Sequence, residues 1–126
     1  MRVLIAGDQK NLGTTLATFV SRCNHEVVEV VGSGLEAIQA YTRHHPDVVL
    51  MDHWMSKLNG ATACRNILAR DPAARVILVS GWYSPNEAVN SGAVAVLTKP
   101  VHLARLEEVL NAIAQPPALD EVAASP

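Results

Sequence analysis

Cysteine is scarce in this sequence, and so are charge imbalance, long apolar runs and phosphate-cradling glycine loops. Only Cys23 and Cys64 occur, each inside an apolar-periodic segment. Both read as buried thiols in a reducing cytoplasm, without the basic neighbours that would mark a reactive thiol. Ten basic against twelve acidic residues leave a formal charge of -2. That gives no electrostatic footprint for nucleic acid or a membrane surface. No stretch approaches the roughly 18 apolar residues of a membrane span. The first run, Met1–Ala6, stops at Gly7-Asp8 and is too short for a signal peptide. Neither G-x-x-x-x-G-K-[ST] nor a G-x-G-x-x-G after a strand is found, and Gly32-Ser33-Gly34 reads as a turn plus helix cap. These absences predict a soluble, cytoplasmic protein with no nucleic-acid partner and no membrane partner.

What is present is a core. The chain has 126 residues, 49% of them apolar, which suits one domain held together without disulfides or metal. Five short runs, Val3–Ala6, Val27–Val31, Val48–Met51, Val76–Val79 and Val94–Leu97, are rich in Val and Ile. Continuous apolar runs of this length suit strands buried on both faces of a parallel sheet. Glu29 interrupts the second run, which marks it as an edge strand.

The segments between the runs carry helical periodicity. Leu12, Leu16, Phe19, Val20 and Cys23 share one face of a first helix, and Leu35, Ile38 and Tyr41 share one face of a second. The second opens with the capping box Ser33-Gly34-Leu35-Glu36. Ala61, Cys64, Ile67 and Leu68 form a third, ended by Asp71-Pro72. Ser84-Pro85-Asn86-Glu87 opens a short fourth, and Leu103, Leu106, Val109, Leu110 and Ile113 form a fifth. The expectation is an α/β fold, a doubly wound five-stranded parallel sheet of flavodoxin-like (βα)5 type with strand order 2-1-3-4-5. It occupies residues 1–115, and 116–126 form a Pro/Ala-rich tail.

In such a sheet, ligands bind beyond the carboxyl ends of the strands. The first strand ends in Gly7-Asp8, the third in Asp52, the fourth in Ser80-Gly81 and the fifth in Thr98-Lys99-Pro100. Two carboxylates, a hydroxyl and an amine therefore converge on one edge. Paired carboxylates repel unless a cation joins them, and Mg2+ would take them as oxygen ligands. A carboxylate can also attack phosphorus, and the added oxygens would need a lysine and a hydroxyl opposite. His44-His45 reads as a solvated helix end, and His53 has no second ligand at metal spacing.

Together these residues resemble the receiver domain of two-component response regulators, over about residues 1 to 115. The strongest stretch runs from Asp47 to Gly60, an apolar strand, an aspartate, a loop and a glycine opening a helix. The resemblance implies that Asp52 is the phosphoacceptor, that Ser80 is the switch hydroxyl with Gly81 leaving room for the phosphoryl group, and that Lys99 pairs with it. It further implies a cis Lys99-Pro100 peptide, and Mg2+ held by Asp8, Asp52 and the backbone carbonyl of Trp54.

Departures qualify that likeness. Gly7 replaces the first member of the family's acidic pair, so weakened Mg2+ binding is expected. Val96 stands where many receivers carry Tyr or Phe, so an aromatic relay is unavailable. Ser56 replaces a common proline, and Val101 a frequent Phe. Trp54 and Trp82 fall on positions that rim the site. Two indoles there would shield the phosphoryl group from water, or else anchor a partner surface.

The leading expectation is a stand-alone receiver that takes phosphate from a histidine kinase or histidine phosphotransfer protein. It would signal to a downstream protein through the face of helix 4, strand 5 and helix 5, which exposes Glu87, Asn90, Arg105, Glu108 and Asn111. Its only enzymatic activity would be self-phosphotransfer and slow autodephosphorylation. The alternative is a degenerate receiver that binds partners without phosphorylation, favoured by Gly7 and Val96. A third reading, a flavodoxin-like nucleotide binder, lacks the glycine loop it would need. The sequence leaves a homodimer open.

Overall fold

A computed structural model describes residues 1–8, 12–81 and 90–114. The five strands are β1 (Arg2–Ala6), β2 (Glu26–Val31), β3 (Val48–Asp52), β4 (Val76–Ser80) and β5 (Ala95–Thr98). The helices among the described residues are α1 (Leu12–Arg22), α2 (Gly34–His44), α3 (Gly60–Arg70) and α4 (Leu103–Ala114). All strand pairs are parallel, in the order β2-β1-β3-β4-β5. The sequence predicts this topology. The helix predicted to open at Ser84 and the tail from 116 lie outside the described residues, so the last helix, α4, is the fifth of the sequence reading.

Alternation along each buried strand explains why the runs are continuously apolar. Leu4, Ala6, Val49, Met51 and Leu78 pack into one core with Ala37, Ile38, Tyr41, Cys64 and Ile67 of α2 and α3. Their neighbours Val3, Ile5, Val48, Leu50, Ile77 and Val79 pack into a second core with Leu16, Val20, Leu106 and Leu110 of α1 and α4. Successive side chains point to opposite faces, so a sheet covered on both sides needs an apolar residue at every position. Leu4, Ile5, Leu50, Ile77 and Leu78 are fully buried, and each such side chain contributes about 1.5–3 kcal/mol.

Strand β2 is the exception, mostly exposed or half-buried as an edge strand should be. Glu29 accepts from Arg43 and His44, both at 2.8 Å, and these bonds hold its carboxyl below the usual range, Arg43 most strongly.

The helix starts are fixed locally. The Glu36 amide donates to Ser33 Oγ while Glu36 Oε1 accepts from the Gly32 amide, completing the capping box. Helix α2 ends at His45, whose left-handed backbone (φ 45°) turns the chain toward β3. In α3, Asn59 Oδ1 caps the Thr62 amide, and Asp71 closes the other end.

Two polar residues close their strands as expected: Asp52 is the last residue of β3 and Ser80 the last of β4, each one residue past the apolar run. Asp52 lies in register with Val79, and Ser80 with Thr98. The ladder thus sets both polar side chains in rows continuous with the sheet. β5 starts at Ala95, with Val94 half exposed ahead of it.

Candidate functional site at the carboxyl edge of the sheet

Asp52 is fully buried, an unusual place for a carboxylate unless something compensates its charge. Lys99 does so, its Nζ lying 3.0 Å from Asp52 Oδ1. The Trp54 amide donates to the same oxygen at 3.4 Å. Asp52 Oδ2 has no hydrogen-bond partner among the described residues. A buried, unpartnered carboxylate oxygen costs free energy that a folded chain ordinarily avoids, and such atoms mark places where a ligand completes the bonding.

The neighbouring strands supply the rest. Lys99 follows β5 and its amide donates to the Ser80 carbonyl at 3.0 Å, continuing the β4–β5 ladder past the strand ends. The Lys99-Pro100 peptide is cis. Ser80 is buried and its hydroxyl donates to the Gly81 carbonyl at 2.9 Å, so it rests on its own chain. Gly81 is half-buried. Asp8, in the loop after β1, is exposed, and its Oδ2 accepts from the Ser56 amide at 2.8 Å.

Gly7 lies directly beside the acceptor position. A Cβ added there would meet the Cβ of Asp52 at 3.7 Å and Leu12 Cδ2 at 3.8 Å, both ordinary contacts, and the backbone is not left-handed. Neither sterics nor conformation requires glycine at 7. Gly60 is the opposite case. Its Cβ would come within 2.5 Å of the Asp52 carbonyl and 2.8 Å of His53 Cα, so only glycine lets α3 start this close to the end of β3.

Spacing rules His53 out as a metal ligand and says nothing of its structural part. Fully buried, it donates its amide to the Val79 carbonyl at 2.8 Å. Its carbonyl accepts from the Gly60 amide at 2.8 Å, and its Nδ1 accepts from the Ala61 amide at 3.3 Å. Two of the four orphan donors of α3 are thereby satisfied by one residue. A histidine next to an end-of-strand aspartate and seven residues before a helix-opening glycine was the available signal. Nothing in spacing alone says that the ring turns inward.

Trp54 is half exposed, with its ring edge-to-face on His53 at 5.4 Å between centroids. Trp82 lies outside the described residues. Val96 is half-buried and packs against the core shared with α2 and α3. Burial raises the thiols of Cys64 and Cys23 above their ordinary pKa, in line with unreactive cysteines.

Whether these residues suit a divalent cation can be judged from the donors. Among the described residues no group of three or more His, Cys, Asp and Glu side chains could hold a metal. Two carboxylates, the orphan oxygen of Asp52 and the exposed Asp8, do meet Mg2+ requirements. That ion keeps several waters and takes only one or two carboxylates together with phosphate oxygens. The donor set fits Mg2+.

Chemically, the edge presents a carboxylate with one oxygen neutralised by an ammonium and the other uncommitted, a hydroxyl nearby in the sheet register, and a second carboxylate.

Comparison with known proteins agrees with this edge. Residues 3–111 match the family model of the response regulator receiver domain. The chemotaxis protein CheY of Thermotoga maritima is 32% identical, over 90% of this chain and 98% of that protein. A response regulator receiver domain protein from Clostridium thermocellum superposes with a TM-score of 0.83 at 26% identity, covering 89% of this chain and 92% of its own. A CheX–CheY–BeF3–Mg2+ complex from Borrelia burgdorferi matches with a TM-score of 0.81 at 26% identity, covering 91% of this chain and 90% of the matched one. With these similarities beside a buried Asp52–Lys99 pair at the carboxyl edge of a 2-1-3-4-5 sheet, the chain belongs to the CheY-like receiver domains of two-component signalling systems.

Proposed function

We propose that Asp52 accepts a phosphoryl group from a phosphohistidine donor, a histidine kinase or histidine phosphotransfer protein, and that the added charge switches partner binding. The observation that carries this reading is the buried Asp52 carboxylate, paired with Lys99 at 3.0 Å through one oxygen and unpartnered at the other. In the transfer, an Asp52 oxygen attacks phosphorus while the P–N bond to histidine breaks. The electron pair and a proton go to the departing imidazole. Lys99 stays close enough to pair with the new anion, which carries about -1.5 to -2 charge. The Ser80 hydroxyl, held among the described residues by the Gly81 carbonyl, can turn to donate to a phosphoryl oxygen, and Gly81 places no side chain in its way. Hydrolysis returns Asp52 and inorganic phosphate.

Asp8, Asp52 and the backbone carbonyl of Trp54 would hold Mg2+, which supplies neutralising charge and orientation to the phosphoryl oxygens when bound. With Gly7 in place of a second acid, the site offers two carboxylates against one ammonium, and its affinity for the ion is correspondingly modest.

Output would pass through the face of β5 and α4 toward a protein partner; the helix that the sequence reading adds to this face lies outside the described residues. Asn90, Arg105, Glu108 and Asn111 are exposed there, with Arg105 and Glu108 paired at 2.9 Å; Glu87 lies outside the described residues.

The test is incubation of the full chain with Mg2+ and a small phosphodonor, followed by intact mass. The parent should gain one phosphoryl group and an Asp52→Asn variant none. A folded parent that gains no mass establishes the second reading, a receiver that binds partners unphosphorylated, which Gly7 favours.

A further inference from the structure

Asp8 is tethered in an unexpected way. Its carboxylate is exposed, and among the described residues its one partner is the backbone amide of Ser56, 48 residues away, at 2.8 Å from Oδ2. The bond joins the loop after β1 to the loop after β3, two adjacent strands whose ends carry Gly7 and Asp52. The donor is main-chain; the Ser56 hydroxyl takes no part in it. Any residue except proline could therefore make this bond, because proline alone lacks the N–H.

We propose that the Ser56 amide is a positioning group that holds Asp8 ready for the divalent cation, in a site where Gly7 offers no second carboxylate. An exposed aspartate samples several rotamers and must lose that freedom when it binds an ion. A hydrogen bond from a fixed amide removes the freedom beforehand. It occupies one of about four lone-pair sites on the carboxylate and leaves the others for the ion. Outer partners of this kind typically change metal affinity by about 10- to 100-fold. The exposure of Asp8 favours the lower end of that range, because water can replace the lost donor. Ser56 thus offsets part of what Gly7 removes.

This inference rests on Mg2+ binding at Asp8 and Asp52, and the test separates the two. Mg2+ is titrated into the unphosphorylated full chain, followed by tryptophan fluorescence, with far-UV circular dichroism to confirm folding. The parent should bind, and Asp8→Ala should bind far more weakly. Ser56→Ala should match the parent, because it keeps the amide. Ser56→Pro should bind about tenfold more weakly. Equal or tighter binding by folded Ser56→Pro overturns the positioning role alone. No Asp8-dependent binding in the parent overturns the metal site and the positioning role together.

If Ser56→Pro does not fold, the amide spectrum of the parent decides. The Ser56 amide proton should shift on Mg2+ addition, and should lose its downfield displacement in Asp8→Ala. An amide indifferent to both changes overturns the proposal.

Discussion

The two ends of the sheet treat most of their polar groups in opposite ways. At the amino end, Arg2 donates its amide to Asp47 Oδ2 at 2.7 Å and its guanidinium to the carbonyls of His44 and His45. Arg75 reaches the carbonyls of Asp47 at 3.2 Å and Ile113 at 2.8 Å, fastening β3 and α4 to β4. Tyr41 donates to Asp71 at 2.7 Å, pinning α2 against α3. At the carboxyl end, the buried Asp52 keeps an oxygen without a partner, and the Ser80 hydroxyl rests on its neighbour's carbonyl. Saturated groups stabilise the fold, whereas unsaturated ones await a ligand. The division is not complete, since the buried His25 Nε2 just before β2 also lacks a partner among the described residues. What sets the carboxyl end apart is that its unpartnered atom is a carboxylate oxygen whose twin is paired with an ammonium.

Substitutions at the two ends should therefore give opposite outcomes. Asp52→Asn should abolish phosphoryl uptake by intact mass yet leave the unfolding free energy within about 1 kcal/mol of the parent, since the buried negative charge is removed and Lys99, itself partly exposed, can turn its ammonium to water. Arg75→Ala should do the reverse, costing about 2 kcal/mol in a urea melt through two lost charge-assisted bonds while phosphoryl uptake persists. Gly7→Asp should tighten Mg2+ binding about tenfold, or about 1.4 kcal/mol, because a Cβ is accommodated there at ordinary contact distances and the side chain adds negative charge beside Asp52.

The smallest effect belongs to Tyr41→Phe, about 1 kcal/mol. It carries a pH signature. Burial, followed by the bond to Asp71, pushes the Tyr41 phenol up to about 12. In the unfolded chain the phenol titrates near 10. The unfolded chain thus gives up its proton first. The stabilisation is complete below about pH 10 and is lost as pH rises toward about 12. Urea melts across that window should show the decline in the parent and a shallower one in Tyr41→Phe.

Much of this architecture was legible because parallel sheets impose a simple rule. A strand covered on both faces must be apolar at every position, so the runs at Val3, Val48 and Val76 announce themselves, and Glu29 marks the edge. The convergence of Asp8, Asp52, Ser80 and Lys99 follows from the same rule, since whatever ends each strand must meet at one rim. Side-chain and backbone partners were not legible. Spacing places Ser80 at the rim but cannot say that its hydroxyl settles on Gly81. It places Ser56 in a loop but not its amide under Asp8, because that contact depends on how two loops distant in sequence lie together. His53 shows the same limit: a ring turned inward to cap α3 leaves no periodic trace.

That capping has a mechanical meaning. The peptide just beyond Asp52 is bonded at once to β4 through Val79, and to the first turn of α3 through both carbonyl and ring. Gly60 removes the last bit of clearance between them. A joint fastened on three sides has no slack. If Asp52 is phosphorylated as proposed, a displacement of the strand tip would pass to α3 or β4 through these bonds. Val96 has no ring to swing, so under the proposed phosphorylation stiffness at this joint would supply a route by which load leaves the site.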